Sequence, residues 1–121
     1  GLSNDMRTLR REAPSNADAR KAIDLFVYRI IRETGSLIAA LGGIDGLIFT
    51  AGIGENDAAT RAAVVAGLSW TGLTLDEAAN TAGGPRISSS ASPSAWVIPT
   101  NEELVIARQT RDVINAARHS V

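Results

Sequence analysis

From Ala19 onward the apolar residues Ile23, Phe26, Val27, Ile30, Ile31, Leu37, Ile38 and Leu41 recur at helical spacing, with Lys21, Asp24, Arg29 and Arg32 between them. A stripe of that period turns to one side of an α-helix, so a long amphipathic helix packed on a core is expected here. Ser15, with Asp18 three residues on, supplies its start. Gly42 and Gly43 supply its stop, because glycine enters the left-handed conformation that ends helices without a Cβ clash. Ahead of it, Ser3 is placed to cap a short helix over residues 4–13 that Pro14 ends, since proline lacks the amide and crowds the preceding turn.

Asp45 and Gly46 then turn the chain into LIFT, residues 47–50. Its continuous apolarity suits a strand buried on both faces, as in a parallel sheet covered by helices. After Asn56 the run DAATRAAVVA is rich in helix formers and reaches a stop at Gly67. Residues 68–80 read as a short extended piece and one helical turn. Residues 81–94, rich in Gly, Ser and Pro, read as a surface loop with one edge-strand fragment at residues 86–88. A second core strand follows at residues 95–99, and a last helix over residues 101–118. Strands alternating with helices predict an α/β fold, helices packed on a small, mainly parallel sheet. Two strands make a poor sheet, so either the loop supplies edge strands or the neighbours belong to sequence outside this chain.

Length and charge narrow the picture. The 121 residues, 45% hydrophobic, suffice for one domain spanning residues 1–121 with one core. A net charge of −1, from 12 basic and 13 acidic residues spread along the chain, gives no footprint for nucleic acid or an anionic membrane, so neither partner is expected. The absence of cysteine excludes disulfides and thiolate chemistry. No apolar run approaches the ~20 residues that span a bilayer, and a cytoplasmic location is expected. The chain opens on GLSNDMR, without an initiator Met, which leads us to expect a piece of a longer protein.

Three places could carry chemistry. TAGIGEN, residues 50–56, puts Gly52 and Gly54 where a strand gives way to a helix. Free amides and a helix dipole there hold a phosphate or let a flat ligand lie on the backbone; the same glycines equally serve a tight turn with no ligand. It is neither a Walker loop, which needs a following Lys-Ser or Lys-Thr, nor GxGxxG, whose third glycine is Asp57 here. In PTNEEL, Thr100 and Glu103 form a capping box, which leaves Glu102 free at the C-terminal end of a strand, where ligands of open sheets collect. Glu102 could hold Mg²⁺, or serve only the helix dipole. In SNDMR, Arg7 is either a solvated side chain or a phosphate contact. His119 lies at the C-terminus with no second histidine, which disfavours transition-metal sites and a Ser-His-Asp triad.

LIFTAGIGEN, followed by Arg61, by GLTLDEAAN and by WVIPTNEELVIAR, resembles the C-terminal part of the acetate kinase family. GLSNDMR resembles that family's Asp-x-Arg segment, and LGGIDGLIFT continues the match. The family belongs with sugar kinases, heat-shock cognate chaperones and actin, so the resemblance implies the C-terminal part of an actin-like, ribonuclease H-like ATPase domain. It implies phosphoryl transfer from ATP to acetate, giving acetyl phosphate and ADP with Mg²⁺ across the phosphates. It implies that Asp5, Met6 and Arg7 border the ATP site, that Gly52, Ile53, Gly54, Glu55 and Asn56 form the adenosine loop, and that Glu102 positions Mg²⁺. Ala51 stands where a glycine is usual in the family, and SSSASPS is poorly matched.

In the family, the acyl pocket, the catalytic groups and two phosphate loops precede anything in this chain. The resemblance therefore implies the nucleotide side of the cleft, no catalytic residue here, and no kinase activity from this polypeptide alone. It also implies a homodimer through the C-terminal domain. Propionate kinase, and a non-catalytic nucleotide-binding or assembly module of the same superfamily, stay open as alternatives.

Overall fold

The protein is described by a computed structural model over residues 2–100. The last predicted helix, and with it Glu102, Glu103 and His119, lies outside the described residues. Helix α1 spans Leu2–Glu12 and α2 spans Ala17–Leu41. Ser3 lies inside α1 instead of capping it. The cap of α2 is Asn16, one residue past the expected Ser15: its Oδ1 accepts from the amides of Asp18 at 2.9 Å and Ala19 at 3.3 Å. An Asn side chain thereby satisfies two donors that helix geometry leaves without partners. Ser15 instead donates its hydroxyl to the Glu12 carbonyl, closing α1. Gly42 ends α2 at φ 80°, with its amide bonded to Ala39 and that of Gly43 to Ile38, as expected of a left-handed stop.

Strand β1, Gly46–Phe49, pairs in parallel with β2, Ser94–Val97, from Gly46 opposite Ser94 to Phe49 opposite Val97. The loop-rich stretch supplies the other edge of β2. There the Ile87 amide donates to Ala95 and the Val97 amide to Pro85, at 2.9 and 2.7 Å, with antiparallel bridges joining Arg86 to Trp96 and Leu75 to Ser88. The edge fragment at residues 86–88 is therefore present, as is the extended piece before the short helix α5, Glu77–Thr81. LIFT is not buried on both faces. Leu47 and Phe49 pack against the core while Ile48, pointing the other way, is 37% exposed, because among the described residues β1 pairs on one edge only and packs on one face.

Between β1 and α5 run α3 (Ala51–Asn56), α4 (Ala58–Gly67) and a 3₁₀ turn at Ser69–Thr71. The core joins Ile38 of α2 and Val64 and Val65 of α4 to Leu68, Leu73, Ile87, Ala95 and Val97. Gly67 closes α4 as expected, and also has a steric duty: a Cβ there would stand 2.3 Å from Ile31 Cδ1 on α2. The apolar stripe of α2 is covered only in part, since Leu37 and Leu41 at its end are 64% and 75% exposed.

Candidate nucleotide site

Past Phe49 the chain turns through Thr50, which is extended, and Ala51, at φ 61°. A left-handed backbone strains any residue with a Cβ, so the alanine sits in strain where a glycine would be relaxed. The expected glycine turn is thus a six-residue helix. Gly54 lies against the end of β1, where an added Cβ would meet the Phe49 carbonyl carbon at 3.2 Å. Packing on its own strand accounts for this glycine, whereas Gly52 is exposed. Asn56 folds back, donating its amide to the Gly52 carbonyl at 2.9 Å. The Glu55 carboxylate accepts from the Thr100 amide at 3.3 Å, and the Thr50 hydroxyl donates to that of Thr100 at 3.2 Å. Those two bonds tie α3 to the end of β2.

The α1 segment comes to the same place. A cavity of about 230 Å³ opens between α1 and the α3–α4 junction, lined by Met6, Arg7, Arg10, Ile53, Asn56 and Asp57. Met6 is buried, and Arg7 is exposed with no ion pair among the described residues. Arg10 bridges the walls: its Nε lies 3.4 Å from Asp57 Oδ2 and its Nη2 donates to Thr60 Oγ1 at 2.9 Å. Asp57 also caps α4, accepting from the amide of Thr60 at 3.2 Å and its hydroxyl at 2.7 Å. Of the expected site residues, Met6, Arg7, Ile53 and Asn56 share this lining. Asp5 lines a neighbouring apolar cleft of about 260 Å³ between α1 and α2 with Leu9 and Phe26. Gly52, Gly54 and Glu55 line neither. No group of three His, Cys, Asp or Glu gathers for a metal among the described residues.

Arg61 stands among the residues that carry the family resemblance, which gives it no role. It is 2% exposed. Its Nη1 donates to the carbonyls of Gly54 and Glu55 at 3.0 and 2.9 Å, its Nε to Asn80 Oδ1 and its Nη2 to the Asn80 carbonyl, both at 2.7 Å. Burial lowers the guanidinium pKa and the nearby Asp57 charge raises it in part; arginine stays protonated regardless. One signal was available. Arg61 shares its helical phase with Val64, Val65 and Leu68, which marks it as inward-facing.

Known proteins then decide the family. The acetokinase family profile matches residues 1–108. This chain belongs to the acetokinase family. Acetate kinase of Rhizobium meliloti is 51% identical over 117 residues, covering 96% of this chain and 29% of the relative. Acetate kinase of Rickettsia akari is 51% identical over 110 residues, covering 90% and 28%. Among solved structures, a propionate kinase from Francisella tularensis superposes with TM-score 0.76 at 36% identity, over 88% of this chain and 28% of that one. Porphyromonas gingivalis acetate kinase does so with TM-score 0.75 at 32% identity, over 90% and 29%. The chain therefore spans under a third of the length of these relatives. Its mixed helices and small parallel sheet match part of the actin-like ATPase fold of those neighbours.

Proposed function

We propose that this chain forms the adenosine side of the site in an ATP-dependent acyl kinase, with acetate as acceptor. The observation that carries the reading is the shared cavity: Met6 and Arg7 meet Ile53 and Asn56 across it, although the two segments lie more than forty residues apart in sequence. The lining fits part of a nucleotide. Met6 and Ile53 offer apolar surface to a purine, Asn56 offers an amide to its edge, and Arg7 offers an exposed cation to phosphate. At about 230 Å³ the space is below the ~300 Å³ of typical ligand pockets, which suits a nucleoside more than a whole triphosphate. Glu102 is the residue proposed to position Mg²⁺. Bound Mg²⁺-ATP supplies the γ-phosphoryl group that passes to the acceptor carboxylate.

Two parts of this reading concern the whole protein. The acyl pocket and phosphate loops are assigned to sequence outside this chain, so the purified chain is expected to form acetyl hydroxamate no faster than a blank. Homodimerisation and a cytoplasmic location belong to the same reading; among the described residues no helix is long and apolar enough to cross a membrane, and light scattering tests the dimer. Propionate is a second acceptor, favoured by the superposition on the Francisella propionate kinase.

The test is an ADP titration of the labelled chain followed by amide resonances. Residues 5–7 and 52–56 are expected to shift together, saturating weakly. Shifts elsewhere with none in these two segments would sink the proposal.

A further inference from the structure

We propose that Arg61 and Asn80 are a positioning pair that sets the α3 wall of this cavity, so that a segment lining no part of it governs how tightly adenine nucleotide is held. The inference rests on the adenosine reading above and adds the device that shapes the site.

A six-residue helix is too short to hold itself. Helix geometry leaves its last carbonyls without partners. The Asp57 amide takes the Ile53 carbonyl at 2.9 Å, and Arg61 takes the next two, Gly54 and Glu55. The other side of the guanidinium is gripped by both the side-chain and main-chain oxygens of Asn80. A planar fork held in this way has little freedom, so the place of α3 follows the place of Asn80.

Asn80 is itself fixed from two directions. Its Nδ2 donates to the Ala58 carbonyl at 2.9 Å, at the first residue of α4. Its helix, α5, is capped by Asp76, whose own amide donates to the Ile87 carbonyl at 2.8 Å beside β2. A run of bonds thus leads from the sheet through α5 to Arg61 and the carbonyls of α3, on which Ile53 and Asn56 face the cavity. Arg61 and Asn80 are buried, at 2% and 4% exposure, so water cannot replace a lost partner cheaply.

The test compares Asn80→Ala and Asn80→Asp in the full chain, by amide hydrogen exchange and by ADP titration. Asn80→Ala removes the acceptor of Arg61 Nε and the donor to Ala58. Amides of residues 52–56 are expected to exchange about tenfold faster or more, with α2 and β1 unchanged, and ADP affinity to fall about tenfold. Asn80→Asp restores the acceptor and is expected to recover most of both effects, which a role in general stability would not produce. Unchanged exchange in α3, or loosening spread evenly over the chain, overturns the pairing. Loosened α3 with unaltered ADP affinity overturns its link to the ligand. If ADP leaves the unsubstituted chain unperturbed, the adenosine reading fails by itself, while the exchange arm still judges the clamp. Should Asn80→Ala not fold, Arg61→Lys, which keeps the charge but not the fork, gives the same exchange comparison.

Discussion

Two arginines fasten the α3–α4 junction, Arg10 at the cap of α4 and Arg61 at the last carbonyls of α3, and do so by different physics. Arg10, on α1, reaches Asp57 and Thr60 with a side chain about one-third exposed. Arg61, on α4, is sealed behind α3 and spends its donors on two carbonyls there and on both oxygens of Asn80. Water competes for the first and not for the second, so the front tie is adjustable and the rear one is rigid.

The contrast is sharpest if the rear clamp is removed. Arg61→Ala strands buried acceptors on α3 and α5 and is expected to lower stability by about 3 kcal/mol or more, read as a lower urea midpoint. A loss under about 1 kcal/mol would put Arg61 in the same class as Arg10 and erase the distinction. Next in size is Gly54→Ala. The added Cβ meets Phe49 backbone at 3.2 Å, which cannot swing aside as a side chain can. We expect about 1–3 kcal/mol of destabilisation, with shifted α3 amide resonances.

Arg10→Ala is expected to cost below about 1 kcal/mol, and less still as salt is raised, because a partly exposed ion pair is screened. A salt-independent cost larger than that would show the front tie to be as rigid as the rear. The smallest effect has the opposite sign. Ala51→Gly relaxes the left-handed backbone at φ 61° and should stabilise by about 0.5 kcal/mol, net of glycine's greater entropy when unfolded. Thermal unfolding resolves it, and a loss of stability would show that Ala51 is not strained.

What was legible in the sequence divides along a physical line. The long stripe of α2, its glycine stop, α4 and both parallel strands could be read because they rest on periodicity and on the conformational freedom of single residues. The start of α2 was read one residue early, since Ser15 and Asn16 both cap well and only the donors each one reaches separate them. Partners remote in sequence were not legible. LIFT looked doubly buried because apolarity does not state how many faces are covered, and Leu37 and Leu41 belonged to the stripe without being buried. The site was half legible. Resemblance joined α1 to the glycine segment and the cavity brings four of those residues together, yet Arg61 and Asn80, nineteen positions apart, carried no local sign of their bonds.

By itself, then, the sequence determined α1, α2, α4, the two strands and the family, but not α3, because spacing, caps and glycine conformations act within a few residues and similarity needs only residue identities. Only the tertiary structure decided that Gly54 and Gly67 are held by neighbours a Cβ would strike, that Ala51 is strained, and that a buried arginine anchors α3. Those are statements about which atoms meet across the fold, and packing alone decides them.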